Sequence, residues 1–388
     1  MFSKNIYYKN YKPQKSNLKK IKKIKKILNK VLKEDNQILA SLNNNYKDSY
    51  NKKYLSKFKK KNQITIIGMG GSILGAKAIF NFLSNKKKKF IFVDNFCNTQ
   101  EKNDKKNINL IISKSGNTLE TICNTNSLIK KSQTNIFITE NKKSYLMDLA
   151  IKLKSDVIQH NNFIGGRYSV LSEVGMLPAE LMGFNPNKFR KLNYLINDKD
   201  FMKSLILNVL NTSNLINKKK VNSIILNYDE RSEDLFKWYQ QLLSESLGKK
   251  GKGVMPIISS MPRDNHSLMQ YYLEGKKSNF FTFFFVKDKS SKKIKNNALL
   301  RSHYYLKNKS LNDIAYCQFK ATEKIFDKKK IPFRSFLLNK RSEDTLGELF
   351  TFFILETILL GKAMNLNPYN QPAVEQVKLK TKNILLKS

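Results

Sequence analysis

With 388 residues and a mass of 45.1 kDa, the chain is too long for one ordinary hydrophobic core, so two domains are expected. Its net charge of +42 is of the size found in proteins that bind nucleic acids or anionic membranes. The lysines are spread over the whole chain and only seven arginines occur, so the composition favours a solvated lysine surface and predicts neither a specific nucleic-acid partner nor a membrane partner.

The cysteines indicate a reducing compartment. The chain has an odd number of cysteines, namely Cys97, Cys123 and Cys317, and their spacing matches no metal or redox motif. The first twenty residues contain no apolar run of the kind found in signal peptides, and the apolar run 280–286 is too short to cross a bilayer. We therefore expect a cytoplasmic protein, with no metal ion and no cofactor.

Residues 1–45 form a basic segment with a predicted helix. No acidic residue precedes Glu34, and twelve lysines lie between Lys4 and Lys33. Apolar residues recur at helical spacing at Leu18, Ile21, Ile24, Ile27, Leu28, Val31 and Leu32. Such a helix could lie on a membrane surface or act in targeting, but we favour packing of its apolar side against the domain that follows.

Residues 46–190 are predicted to form the first domain. Short apolar runs typical of buried strands alternate with helical patterns at 73–83 and 119–131; the runs are 64–67, 90–93, 108–112 and 135–139. Strands separated by helices indicate a parallel sheet with right-handed crossovers.

A helical connection is predicted at 191–220 and a second α/β domain at 221–388. Strand patterns recur at 223–227 and 280–286, and a helix is expected from about Ser232 to Leu247. The tail from Gly347 to Leu386 is mostly helical, with interruptions at Pro368 and Pro372. The fold class is therefore α/β, with two mainly parallel sheets flanked by helices and the functional site between them.

Two loops after predicted strands are suited to bind phosphate. Gly68-x-Gly70-Gly71-Ser72 precedes a helix, where free N–H groups and the helix dipole favour an anion. Its spacing fits neither a dinucleotide fingerprint nor a Walker loop, and alone it could equally be a tight turn without a ligand.

The second loop, Ser113-Lys114-Ser115-Gly116-Asn117-Thr118, offers three hydroxyl groups. The carboxyl ends of parallel strands meet at one edge of a sheet, where ligands bind. Two such loops after buried strands therefore predict a phosphate site, although a single one would be ordinary turn chemistry.

Two further segments bring a cation, an amide and a carboxylate. In Gly165-Gly166-Arg167-Tyr168-Ser169 the glycines allow a sharp turn and a close approach of the guanidinium to a ligand. Gln241 and Glu245 are four residues apart and hence share one helical face, together with Trp238. A carboxylate near neutral pH can serve as a general base where a partly desolvated pocket raises its pKa.

Histidine is rare in this chain. His160 and His303 are interpreted as structural, whereas His266 lies in the polar run Asp264-Asn265-His266-Ser267. Near the carboxyl end, Gln371 and Lys378 are two helical turns apart and could face one pocket, and Pro372 suits a first helical turn.

Together these motifs, in this order from about Ile64 to Lys378, closely resemble the phosphoglucose isomerase family. The resemblance implies two sugar isomerase domains and an aldose–ketose isomerase that interconverts glucose 6-phosphate and fructose 6-phosphate through a cis-enediol(ate). It implies a homodimer in which His266 acts in trans. It also implies catalytic roles for Glu245, His266, Lys378 and Arg167, and substrate or phosphate contacts for Gly71, Ser72, Ser113, Lys114, Ser115, Thr118, Gly166, Gln241 and Gln371.

The chain departs from the usual pattern of that family at four positions, which are Asn117, Asn265, Asn370 and Ala373. Three alternatives to the leading function remain open from the sequence. The first is a non-catalytic regulator that binds a sugar phosphate, although such a protein needs only the phosphate loops and Arg167. The second is a nucleic-acid or membrane-surface binder driven by the charge of +42, whose affinity should fall steeply with salt. The third is an isomerase that also accepts mannose 6-phosphate.

Overall fold

The computed structural model describes residues 3–12, 18–58, 61, 63–83, 88–96 and 107–387. Its strands, in chain order, are β1 (Ile6–Lys9), β2 (Gln63–Gly68), β3 (Lys89–Val93), β4 (Ile108–Ile112), β5 (Thr134–Thr139), β6 (Asp156–Gln159), β7 (Asn222–Asn227), β8 (Met255–Ser260), β9 (Asn279–Val286) and β10 (Phe333–Leu338).

Among the described residues, the first ten α-helices precede β7 in the chain. They are α1 (Leu18–Lys33), α2 (Gln37–Ser41), α3 (Lys52–Ser56), α4 (Leu74–Leu83), α5 (Leu119–Leu128), α6 (Tyr145–Leu153), α7 (Glu173–Leu181), α8 (Pro186–Phe189), α9 (Leu192–Leu195) and α10 (Lys199–Asn217). The later helices are α11 (Glu233–Leu247), α12 (Met269–Glu274), α13 (Leu311–Lys328), α14 (Glu343–Ala363) and α15 (Pro372–Leu385).

Five parallel strands form the first sheet, in the order β3-β2-β4-β5-β6. The second sheet has the order β1-β10-β9-β7-β8 and is parallel except for β1, which pairs antiparallel with β10. The predicted α/β class with two mainly parallel sheets is thus confirmed. β1 was not predicted, because its partner strand lies in a distant part of the chain.

The two halves meet through a helix pair and a buried helix. α4, which follows β2, packs against α11, which follows β7. α14 is buried continuously from Thr345 to Gly361, as expected for a helix that is apolar on most sides. Arg231, just before α11, donates to the carbonyls of Asn81 (3.2 Å) and Phe82 (2.8 Å) at the end of α4. The loop after β2, at the other end of α4, also lies beside α11.

The predicted basic helix exists as α1, with Ile24, Leu28 and Val31 buried. It packs mainly against α10 and α14, which belong to the helical connection and to the second half of the chain, whereas packing against the domain that follows it was expected. The run 280–286 belongs to β9, a fully buried strand. Among the helices of the described ranges, none has the length and apolar character needed to cross a bilayer.

Candidate active site

The two predicted phosphate loops lie side by side. β2 ends at Gly68 and β4 ends at Ile112, and these two residues are paired in register, so both following loops leave the same edge of the first sheet. Ser72 ends a short 3-10 helix that opens α4, and Thr118 is the N-cap of α5. The hydroxyl groups and the starts of α4 and α5 therefore collect at one edge, as expected for an anion site.

The loop after β4 is ordered by its own contacts. The hydroxyl groups of Ser113 and Thr118 are 2.9 Å apart, and the Ser115 hydroxyl accepts from the N–H of Asn117 at 3.2 Å. Gly116 has a φ of +66°, and a methyl group there would overlap the side chain of Ser144. Ser115 is exposed, so its hydroxyl can meet a ligand from solvent.

Lys114 supplies the cation of this loop. Its Nζ donates to the carbonyl of Asn162 at 2.8 Å and lies 3.6 Å from the Glu140 carboxylate. Partial burial lowers the pKa of Lys114, while Glu140 opposes that shift. Lys114 and Gly165 line one cleft of about 460 Å³. The cation thus borders open space next to the hydroxyl loop.

The glycine loop and the arginine segment are in direct contact. A methyl group on Gly71 would overlap the carbonyl of Gly166 and lie 2.5 Å from the nitrogen of Arg167. Gly70 has a φ of +52°, and a methyl group there would lie 2.7 Å from Nε2 of Gln241. Side chains at positions 70 and 71 would therefore separate the phosphate loop from both Arg167 and α11.

Arg167 is buried and fully hydrogen-bonded, with a side chain that is 1% exposed. Its acceptors are Oγ of Ser246 (2.8 Å), Oε2 of Glu245 (3.1 Å), Oε1 of Gln371, and the carbonyls of Pro368 (2.8 Å) and Asn370 (3.2 Å). These five bonds use all five N–H groups of the guanidinium. Arg167 is consequently a fixed positive charge that joins α11 to the segment before α15.

Glu245 lies at the centre of these contacts. Nε2 of Gln241 donates to its Oε1 at 2.9 Å, and Arg167 donates to its Oε2 at 3.1 Å. Its side chain remains 24% exposed. Two donors thus orient the carboxylate while one side of it stays accessible, so it can reach a proton of a bound ligand. Trp238, on the same helix, is instead packed on Phe350 in the core.

The segment 367–371 is held from two sides. Arg167 binds its carbonyls from the buried side, while Lys249 Nζ lies 2.5 Å from the carbonyl of Asn367 and 2.9 Å from Oδ1 of Asn370. Burial and the charge of Arg167 lower the pKa of Lys249 to about 8, whereas Glu245 acts to raise it. Lys249 therefore lies within electrostatic reach of both charged groups.

Two of the predicted residues lie apart from this group. His266 is exposed in the loop after β8, the edge strand of the second sheet. Lys378 is exposed on α15 and pairs with Glu375 at 2.7 Å. Within the described ranges, no hydrogen bond or ion pair joins either residue to Glu245 or Arg167.

Three residues that contribute to the site were not singled out from the sequence. Ser246 accepts from Nε of Arg167 and lies 2.9 Å from the hydroxyl of Tyr168. Tyr168 also donates to the carbonyl of Pro368 at 3.0 Å, and Lys249 binds the same segment. Ser246 and Lys249 stand in the motif around Glu245, but nothing in their spacing indicates their partners.

Asn117 and Asn370, two of the four residues at which the chain departs from the family pattern, have hydrogen-bond partners in the structure. Oδ1 of Asn117 accepts from the N–H of Tyr145 at 3.0 Å, next to the hydroxyl loop. Oδ1 of Asn370 accepts from Lys249. Asn265 lies in the 3-10 turn Arg263–Asn265 before His266, and Ala373 lies in the first turn of α15.

Comparisons with known proteins agree with this architecture. The family model for phosphoglucose isomerase matches residues 20–259. A glucose-6-phosphate isomerase of Methanocaldococcus jannaschii is 33% identical over 84% of this chain and 85% of its own length.

Two solved structures share the fold. One is a hypothetical protein from Thermus thermophilus, with a TM-score of 0.80, 21% identity and 94% of both chains covered. The other is a glucose-6-phosphate isomerase from Chlamydia trachomatis, with a TM-score of 0.66 and 19% identity, covering 86% of this chain and 71% of that one. From the family model and the sequence relative together, it follows that this chain belongs to the phosphoglucose isomerase family.

Proposed function

We propose that the protein interconverts glucose 6-phosphate and fructose 6-phosphate, a step of glycolysis and gluconeogenesis. The observation that carries the proposal is the accessible carboxylate of Glu245, which Gln241 and Arg167 orient beside the phosphate loops. The relative from M. jannaschii carries the name of this activity. A regulator that only binds sugar phosphates would have no use for an accessible base held in this way.

The phosphate group of the substrate is assigned to the edge of the first sheet. Ser72 and the hydroxyl groups of Ser113, Ser115 and Thr118 supply hydrogen bonds, and Lys114 supplies charge. The backbone of Gly71 and Gly166 allows the sugar to approach closely. A charged group at one end of the substrate then fixes its carbons relative to Glu245.

The proton transfer is assigned to Glu245. Its carboxylate removes the proton from C2 of the open-chain aldose, and the electron pair of the C–H bond moves into the enediolate. The same carboxyl group then returns the proton to C1, and the hydroxyl proton of O2 passes to O1 as the carbonyl forms at C2, which yields the ketose. The charge of Arg167 is already in place before the reaction, so it stabilises the developing negative charge without reorganisation.

Ring opening is assigned to Lys378 and to His266 of a second copy of the chain. His266 is exposed and lies apart from Glu245, which suits a residue that serves the site of a neighbouring subunit. Apolar side chains also remain exposed on α15 (Val377, 69%; Leu379, 64%) and between β9 and α13 (Leu300, 75%; Tyr305, 69%). Contact between copies would cover such surfaces, so a homodimer is part of the proposal.

A coupled assay of fructose 6-phosphate conversion, with EDTA present and no metal added, tests the function. We expect glucose 6-phosphate to form with the wild type. Binding of the substrate without turnover would contradict the proposal and favour a regulator. The same assay with mannose 6-phosphate decides whether the second sugar is accepted.

The cytoplasm is the proposed location. The described thiols Cys123 and Cys317 are free and exposed, a state that a reducing compartment preserves; Cys97 lies outside the described residues. Cell fractionation with antibodies to the protein tests this assignment.

A further inference from the structure

The proposed reaction assigns no role to Lys249 or to its contacts. α11 ends at Leu247, and Lys249 follows only four residues after Glu245. Its ammonium group bridges from the end of α11 to the segment 367–370, where it binds one backbone carbonyl and one side-chain amide. It therefore ties the helix that carries Glu245 directly to the segment that leads into α15.

That segment determines where α15 lies. In the described residues of α15, from Pro372 to Leu385, no side chain is buried within the single chain, so packing against the chain's own elements does not hold the helix in place. Within one chain, its position therefore depends on the residues from which it starts. Gln371 is the N-cap, and its Oε1 accepts from Arg167. Movement of the segment 367–370 would consequently displace both Gln371 and Lys378.

The two cations that hold the segment act on opposite sides. Arg167 binds the carbonyls of Pro368 and Asn370 from the interior, and Tyr168 packs near Tyr369 with ring centroids 6.1 Å apart. Lys249 binds the exposed side, at Asn367 and at the side chain of Asn370. Without Lys249 the outer side of the segment loses both of these bonds, while the interior contacts remain.

We propose that Lys249 is a positioning residue that fixes Gln371 and α15 relative to Glu245, a role that rests on the proposed isomerase function. The phosphate loops belong to the first sheet, whereas both acceptors of Lys249 belong to the segment 367–370. Loss of the lysine should therefore disturb turnover and leave phosphate-dependent affinity nearly intact. Its partner Asn370 should contribute to the same effect, because it accepts one of the two bonds.

The test measures kcat and KM for fructose 6-phosphate in five variants. Lys249→Met keeps the apolar stem but removes both bonds. We expect it to lower kcat by roughly 10- to 100-fold, with KM within about threefold, because small misplacements of reacting groups are costly. Lys249→Arg can still donate both bonds and should retain kcat within about fivefold. Asn370→Ala removes one acceptor and should cause a smaller loss of kcat than Lys249→Met.

Lys252→Met is the matched control. Its Nζ also donates to a carbonyl near the end of α14, that of Met364 at 3.2 Å, but this lies outside the segment 367–370. We expect kcat and KM of this variant to match the wild type. The double variant Lys249→Met/Asn370→Ala should be no slower than Lys249→Met alone, because both changes remove the same link.

The outcomes separate this inference from the function itself. If the wild type does not convert fructose 6-phosphate, the isomerase proposal fails and the role of Lys249 fails with it. If the wild type is active and Lys249→Met has an unchanged kcat, only the positioning role is overturned. A rise in KM alone, or no rescue by arginine, would also overturn it. Should Lys249→Met not fold, Asn370→Ala carries the test, and an unchanged kcat there rejects the role.

Discussion

Gly71 and Gly166 lie backbone against backbone, and this contact joins the first phosphate loop to the segment that carries Arg167. The approach is so close that a methyl group on Gly71 would overlap the carbonyl of Gly166. The two loops therefore cannot move independently, and the position of the phosphate relative to the fixed charge of Arg167 is built into the backbone.

The first prediction follows from this contact. Gly71→Ala should cost about 1–3 kcal/mol of stability or more, because overpacking forces the backbone apart, and it should lower kcat/KM by at least about tenfold through displacement of the site. Gly165→Ala is the control, since its methyl group would meet no atom closer than 3.8 Å and its φ of −68° suits any residue. Thermal melts and steady-state kinetics of both variants check the prediction. Equal behaviour of the two variants would contradict it.

The second prediction concerns the base. Glu245→Gln retains the shape of the side chain and can still accept from Arg167, but it cannot take a proton. We expect kcat to fall by about 10²–10⁴-fold with KM little changed, as is typical when a general base is lost.

Deuterium at C2 of glucose 6-phosphate provides an independent readout for this base. The label should slow the wild type, and part of it should exchange with solvent while Glu245 holds the proton. Near-normal turnover of a folded Glu245→Gln protein would remove the assignment. Retention of every C2 deuteron at C1 would instead indicate hydride transfer.

The sequence predicts a strand of this fold where the hydrophobic pattern of that strand is unbroken. β4 is apolar at every position except Asn109, and it was predicted with its observed bounds. β10 was missed, because Arg334 interrupts its pattern. In the structure this arginine is buried and pairs with Glu356 of α14, which a sequence pattern cannot reveal. β1 was missed because its strand conformation depends on pairing with β10, which lies far away in the chain.

The candidate site likewise combines features that the sequence predicts with features that it does not. The positions of the two phosphate loops follow from the rule for parallel strands, and the shared face of Gln241 and Glu245 follows from helix geometry. The network around Arg167 does not follow from either rule, since its acceptors lie about 80 and 200 residues away in the chain. Gln371 and Lys378 were expected to face one pocket. Gln371 contacts Arg167 in the structure, whereas Lys378 pairs with Glu375 at the surface.

The third prediction tests whether His266 serves a neighbouring subunit. A His266→Ala chain and a Glu245→Gln chain should each be nearly inactive as homodimers. In a heterodimer, one site combines the intact Glu245 of the first chain with the intact His266 of the second. Activity should therefore return in heterodimers purified by two different tags. Absence of recovery in such heterodimers would show that both residues act within one chain.

The fourth prediction concerns stability in acid and depends on His160. This histidine is buried, its Nδ1 lies 3.0 Å from the carbonyl of Asn161, and Glu173 is 3.9 Å away. Burial lowers the pKa of His160 from 6.5 to about 4. Between these values the unfolded chain binds a proton that the folded chain does not, so the folded state loses stability as the pH falls from 6.5 towards 4. The full effect is about 3 kcal/mol at most.

Glu173 acts in the opposite direction, because burial raises the pKa of its carboxyl group and the folded state then takes up a proton at a higher pH than the unfolded chain. The contribution of His160 is therefore measured as a difference between variants that share Glu173. His160→Asn can still donate to the carbonyl of Asn161 but does not titrate, so its free energy of unfolding should fall less than that of the wild type between about pH 7 and pH 5. His303→Asn, at an exposed histidine, should behave like the wild type. Denaturant unfolding at both pH values decides the matter, and identical pH dependence of His160→Asn and the wild type would show that His160 does not carry the acid sensitivity.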